Sequence, residues 1–296
     1  MPSNFTLRPA AALVVVTAIG LLTASCGNDD GSAVAAERVP RPKVDRFDER
    51  AAYALVREQV DLGPRPAGSR QARALAERLR RMLPNGRLQP VGDGLRNVVG
   101  RVPGRSRSVV IVGAHYDTKE IPGFLGANDG ASGTAVVTQL ARTLEPRQLT
   151  PTVVFLLFDG EEAPAGTPND QFERYGLRGS KAVAPRYKDA AAMILLDFVG
   201  ERGLRLPREQ LSHRGLWRQL REAAQAVGVG RVFPTRDYRG GIQDDHLPFI
   251  RQGVPSIDLI DFDFPCWHKR CDDMSKISPR SLDATGESVL ELLRRL

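Results

Sequence analysis

Runs that are almost wholly apolar alternate along this chain with stretches in which apolar residues return every three or four positions. The first kind includes "VVIVG" within residues 108–113, "TVVFLLF" over 152–158, "AAMILLDFVG" over 191–200 and "PSIDLI" over 255–260. A strand apolar on both sides belongs in a sheet covered on both faces, so these runs predict buried strands, with a further strand over 97–102. The second kind predicts helices over 45–60, 69–83, about 131–144, 177–184, 214–227 and 279–295. "DLGPRPAGS" reads as the Gly/Pro loop between the first two helices. Strands alternating with helices, with no internal repeat and no second boundary, predict one α/β domain over residues 46–296.

The N-terminal end breaks this pattern. "AAALVVVTAIGLLTAS", residues 10–25, is uncharged and largely apolar after Arg8. A spanning helix needs about twenty apolar residues, so this run fits the core of a signal peptide better. It ends in "TASCGNDD", which resembles a bacterial lipoprotein signal with Cys26 as the lipidated residue; an ordinary cleaved signal or a short membrane anchor is the alternative. Residues 1–25 are therefore expected to be a signal and 26–45, polar with Pro40 and Pro42, a flexible tether. Every version puts the rest of the chain outside the cytoplasm, and the lipoprotein version is the expected one: membrane-anchored, in the periplasm or on the cell surface. Of the three cysteines, Cys266 and Cys271 remain, in a compartment that permits disulfides; a bridge or two free thiols are both open.

Composition narrows the partners. The 296 residues are 42% hydrophobic and 26% charged, an ordinary globular balance, with a net charge of +7 carried by 36 arginines and only 6 lysines. The arginines are scattered among glutamates, as in "RALAERLRR" over 73–81, with no basic stripe interleaved with aromatics. A solvated surface explains them, and no nucleic-acid partner is expected.

In open α/β sheets, functional residues gather just past the carboxyl ends of strands. There this chain carries "AHYD" with His115 and Asp117, "DGEE" with Asp159, Glu161 and Glu162, Asp197, and "DFDFPCWHK" with His268; a Gly-rich loop adds Asp129 in "GANDG". Singly, His115 could be a sheet histidine, Asp129 a helix N-cap and the two glutamates a solvated pair. Jointly, nitrogen and carboxylate groups converging on one cleft point to a zinc site.

"GAHYDT", "GANDGASGTAV", "FDGEE", "LLD" and "WH…DD…KISP.SL" resemble the co-catalytic zinc aminopeptidases and their relatives, the glutaminyl cyclases, from "DLGPRPAGS" to the C-terminus. The resemblance implies a zinc-exopeptidase-like fold, with a twisted, mixed and largely parallel sheet flanked by helices on both faces. It implies that Asp129, Glu162 and His268 bind zinc, that Glu161 is the general base and acid, and that Asp117 orients His115. In the aminopeptidases, His115, a bridging Asp129 and Asp197 would hold a second zinc. Either enzyme acts on peptide or protein N-termini. One hydrolyses the first peptide bond; the other closes an N-terminal glutamine to pyroglutamate with loss of ammonia.

Three features favour the cyclase. Residues 163–175 are inserted before "GLRGS", "GGIQDDHLPF" matches the cyclase form where aminopeptidases read Ser-Asp-His, and Trp267 precedes His268. On that reading Glu161, Asp197 and Asp244 are catalytic, Ile242, Gln243, Phe264 and Trp267 bind substrate, and one zinc is expected. Asp245 and His246 brace their loop. One departure stands out: animal-type cyclases place a pocket aromatic shortly after "EEA", where this chain has "PAGTPND". A binding protein with a degenerate site is the third reading, disfavoured because every ligand position is filled.

Overall fold

The computed structural model describes residues 39–296, centred on one six-stranded sheet. Strands β1 (Arg87–Gly92), β2 (Leu95–Val102), β3 (Val109–His115), β4 (Thr152–Phe158), β5 (Ala192–Asp197) and β6 (Ser256–Ile260) lie in the order β1-β2-β4-β3-β5-β6. β3 pairs in parallel with β4 and β5, and β5 with β6; β2 runs antiparallel to β4, and β1 to β2. The sheet is therefore mixed, with a parallel block of four strands. In that block His115 lies opposite Phe158 and Asp197 opposite Ile260, so the carboxyl ends stop level along one edge.

Side chains of a strand alternate between faces, and the two sides of this sheet build two cores. Val110, Val112, Ala114, Val153, Phe155, Leu157, Ile194 and Leu196 enter the larger one. Ile111, Val154, Leu156, Phe158, Met193 and Leu195, one position out of step, enter the smaller one. The larger core is closed by helices α1 (Glu49–Asp61), α2 (Arg70–Met82), α3 (Ala131–Thr143), α6 (Arg214–Ala226) and α8 (Pro279–Arg295). The smaller is closed by Val183 of α5 (Arg178–Val183) and Phe249 of α7 (Leu247–Arg251). A single turn, α4 (Phe172–Tyr175), lies in the inserted segment. Among the described residues, no helix is long and apolar enough to cross a membrane.

Three boundaries differ from expectation. The edge strand β1 was not predicted, because Pro90 and a mixed burial pattern hide it; proline is tolerated there since an edge strand has N–H groups that need no partner. Its two-residue turn, Asp93 and Gly94, has φ of 49° and 76°, the conformation that suits a tight hairpin. Helix α1 begins at Glu49, since Asp48 caps it by accepting from the Ala51 N–H at 2.9 Å. The expected tether ends earlier than residue 45: Val39 is already in the core and the Lys43 N–H donates to the Val227 carbonyl at 2.8 Å. The expected signal segment and Cys26 lie outside the described residues.

Helix α8 closes the larger core through a close approach. The Phe47 ring lies on Gly286, where a Cβ would come within 2.4 Å of the ring, and buried Glu287 accepts from the Phe47 N–H at 2.8 Å. Gly286→Ala is expected to overpack this contact and lower unfolding free energy by about 1–3 kcal/mol, read from urea denaturation midpoints.

Candidate active site at the carboxyl edge of the sheet

Because β3 and β5 are neighbours in parallel register, their last residues meet: His115 Nε2 is 3.3 Å from Asp197 Oδ1. Asp129 arrives from the loop before α3 and lies between two histidines. Its Oδ1 is 3.3 Å from His115 Nε2, and its Oδ2 is 3.6 Å from His268 Nε2. Gly130 follows with φ of 87°, and a Cβ there would come within 2.6 Å of the Asp117 carbonyl oxygen, so only glycine lets the chain turn so close to β3. Glu162, just past β4, places Oε1 3.2 Å from His268 Nε2 and accepts from Lys119 Nζ at 2.9 Å.

Two groups able to hold a metal ion result, His115–Asp129–Asp197 and Asp129–Glu162–His268, each with its donor atoms within 4.8 Å of one another. They share Asp129, one oxygen facing each group. His115 Nδ1 and Asp129 Oδ2 are buried without a hydrogen-bond partner. A mixed nitrogen and carboxylate set with orphaned buried donors suits a divalent metal ion.

Carboxylates from other segments hold these loops. Asp117 accepts the Glu161 and Glu162 N–H groups, both at 3.2 Å, one on each oxygen. Its Oδ1 lies 3.7 Å from His115 Nδ1. Asp272 does the same for Asn128 and Asp129, at 2.7 and 3.0 Å. Behind them, fully buried Arg65 donates to the Leu125 and Gly126 carbonyls at 2.8 and 3.2 Å. Neither Asp272 nor Arg65 was assigned a role from sequence; Asp272 stands in the quoted "DD" and Arg65 in "GPRP", but only the folded chain brings them behind Asp129.

The electrostatics follow from burial. Glu161 is pushed well above the usual carboxylate range by burial and by the Glu162 charge. Asp244 is pushed well up by burial and by the charges of Asp197 and Asp245. Burial raises Asp129 to about 6 despite its hydrogen bond with His115. For Glu162, burial is outweighed by the His268 hydrogen bond and charge and by Lys119, and the group is lowered. His115 is raised well above its ordinary value, because the Asp197 charge and its carboxylate hydrogen bonds outweigh its burial.

A cleft of about 360 Å³ opens above these groups, with Asp129, Glu161, Glu162, Asp197, Asp244 and His268 on its floor. Ile242, Gln243 and Trp267 line it as expected, but Phe264 does not. Phe264 is buried and packs on Phe198 with ring centroids 6.1 Å apart, and Phe262 takes the wall instead, 4.9 Å from the Trp267 ring. Alternation would put residues two apart on one side, but the chain turns here, the Phe264 N–H donating to the Asp261 carbonyl at 3.2 Å, and the two rings part. Lys119, Asn169, Phe172, Tyr238 and Arg239 also line the cleft and were not foreseen. Phe172 comes from the inserted segment, so an aromatic ring reaches the cleft from farther along the chain than "PAGTPND". Asp159 turns away and accepts the Arg96 N–H at 3.0 Å, tying β2 to the end of β4.

The loop of residues 240–246 forms the remaining wall. Asp244 Oδ1 accepts the Asp245 N–H at 2.6 Å, leaving buried Oδ2 without a partner. Asp245 accepts from the Ser180 hydroxyl. His246 is wholly buried between Glu209, 3.5 Å from Nε2, and Asp258, 3.9 Å from Nδ1. Glu209 also accepts the Ile242 N–H at 3.2 Å, which ties the pocket wall to this buried cluster. Cys266 and Cys271 are joined in a disulfide.

Residues 97–293 match the family model for peptidase family M28. The chain is 29% identical over 224 residues to a glutaminyl-peptide cyclotransferase of Drosophila melanogaster, covering 63% of this chain and 61% of that protein. It is 28% identical over 228 residues to the protein of that name from Bos taurus, covering 63% and 62%. The match thus spans less than two thirds of these relatives. Among solved structures, a Porphyromonas gingivalis glutaminyl cyclase superposes with a TM-score of 0.75 at 30% identity, covering 85% of this chain and 99% of that one. A Bacteroides thetaiotaomicron structure described as a leucine aminopeptidase precursor superposes with a TM-score of 0.76 at 30% identity, covering 86% and 99%.

Asp272 serves two backbone donors at once, which yields a graded prediction. Asp272→Asn keeps one acceptor and Asp272→Ala keeps none. Alanine is therefore expected to destabilise more than asparagine, by about 1–3 kcal/mol for each buried donor left unpaired, measured by chemical denaturation.

Proposed function

The chain belongs to peptidase family M28, and from that premise we propose that it is a zinc-dependent glutaminyl cyclase. Its substrates are peptides and proteins with an N-terminal glutamine, and its products are pyroglutamyl chains and ammonia. The observation that carries this reading is the setting of Asp244. It lines the cleft with Glu161 and Asp197, is buried, and stands where the resembling aminopeptidases have serine.

Asp129, Glu162 and His268 would hold one zinc through two carboxylates and an imidazole. Zinc bound there supplies Lewis-acid polarisation of the glutamine side-chain carbonyl. The substrate's α-amine nitrogen bonds to the side-chain amide carbon as the carbon–nitrogen bond of that amide breaks. Glu161 takes a proton from the attacking amine and gives it to the departing nitrogen, which leaves as ammonia. The raised affinity of Glu161 for a proton, set by burial and the Glu162 charge, suits that exchange. Burial and the Asp197 charge raise the affinity of Asp244 for a proton, and the two carboxylates stand together beside this traffic. Both reacting groups belong to one residue, and a wall of Trp267, Phe262, Ile242 and Phe172 holds them in attacking geometry.

Residues 1–25 would act as a lipoprotein signal and Cys26 as the lipid attachment point, anchoring an exported enzyme to a periplasmic or cell-surface membrane. A second reading, a co-catalytic zinc aminopeptidase, draws on the His115–Asp129–Asp197 group and its shared Asp129. In that enzyme Glu161 would activate water to hydrolyse the first peptide bond.

Zinc-loaded protein offered a Gln-initiated and a Leu-initiated peptide is expected to release ammonia from the first without shortening it, with one zinc per chain. Free leucine without ammonia would sink the cyclase. Asp244→Ser is expected to lower cyclisation by about a hundredfold or more, the scale of a lost proton-transfer group, with zinc content intact. Unchanged turnover removes Asp244 from the mechanism.

A further inference from the structure

The disulfide between Cys266 and Cys271 closes a short loop that contains Trp267 and His268. We propose that this bridge is a positioning element for the metal centre and the substrate pocket together. It holds His268 where it can bind the ion and Trp267 where it forms the cleft wall. The proposal rests on Asp129, Glu162 and His268 being metal ligands.

His268 has φ of 51°, in the left-handed region, which a residue with a Cβ keeps only where its surroundings impose it. Its ring is stacked on Trp267, centroids 4.6 Å apart and planes at 28°, and meets Phe124 edge-on at 6.1 Å. The two functional side chains thus pack as one unit on one small loop. Immediately after Cys271, Asp272 accepts the Asn128 and Asp129 N–H groups, and its carbonyl accepts from Ala127 at 3.4 Å. The same segment therefore delivers a metal-binding nitrogen at one end and orients the shared carboxylate at the other.

Besides the bridge, the loop is held by short-range backbone turns, the Trp267, Lys269 and Asp272 N–H groups donating to the Phe264, Cys266 and Lys269 carbonyls at 3.1, 3.0 and 3.0 Å. Lys269 and Arg270 are exposed, and their side chains donate to the Pro265 and Pro122 carbonyls at 2.8 Å each, bonds that water can replace. Closing so short a loop constrains the unfolded chain only modestly, so the consequence of the bridge is local. Cys271 is exposed, which leaves the bond open to reductants.

The test compares wild type with Cys266→Ser/Cys271→Ser by zinc-chelator competition and by acrylamide quenching of Trp267. The variant is expected to bind zinc about tenfold or more weakly, the usual penalty for losing groups that orient a ligand. Its Trp267 emission is expected to be quenched more readily, while the metal-free forms unfold at similar temperatures. Equal zinc affinity and equal quenching overturn the proposal. A wild-type chain that binds no zinc overturns instead the metal reading beneath it. Should the variant fail to fold, folded wild type is treated with a phosphine, which breaks the S–S bond to two thiols and becomes phosphine oxide with oxygen from water. After alkylation and removal of the phosphine, zinc affinity is expected to fall to the same degree, and an undiminished affinity overturns the proposal.

Discussion

Asp129, Glu161, Glu162, Asp197 and Asp244 line one cleft while almost wholly withdrawn from water. Ionised carboxylates in that setting lose solvation and repel one another, and the surrounding structure is arranged to offset both costs. Part of the compensation is fixed charge: Lys119 on Glu162, and the guanidinium of Arg65 behind Asp129, Asp117 and Asp272. Burial still pulls Arg65 down to about 10, so it keeps its charge at neutral pH while Nη1 and Nη2 donate to backbone carbonyls. The remainder is met by the raised proton affinity of Glu161 and Asp244 and by a metal-binding set of donors.

The loops that carry these groups are not held by their own residues. Asp117 grips the backbone of Glu161 and Glu162, Asp272 that of Asn128 and Asp129, and Glu209 that of Ile242 and Leu211. Asp117 and Asp272 each fix the main chain of another segment by accepting two N–H bonds, while Glu209 joins its own turn to a distant loop by accepting one from each. Such bonds fix where a loop's side chains can point, so the precision of the cleft comes from acids that mostly do not line it. The disulfide loop belongs to the same scheme, since Asp272 follows Cys271 directly.

Much of this could be read along the chain. The buried strands and the residues at their ends were legible because a parallel strand is apolar throughout and its first polar residue marks the edge. His115, Asp129, Glu161, Glu162, Asp197, Asp244 and His268 do converge on one edge. Edge strand β1 was hidden by Pro90, and the tether was drawn too long because Val39 is buried by contacts distant in sequence. Phe264 and Phe262 could not be told apart, since two phenylalanines two positions apart in an irregular segment carry no periodic signal.

What the sequence determined by itself was therefore whatever depends on local pattern: the strand and helix order, the edge on which function gathers, and the residue types brought to it. Only the tertiary structure decided which groups stand behind them, because Arg65, Asp272, Glu209 and Phe172 act across tens to hundreds of intervening residues. It also decided protonation. A carboxylate's affinity for protons is set by the water it loses and the charges packed around it, and neither is written in its neighbours along the chain.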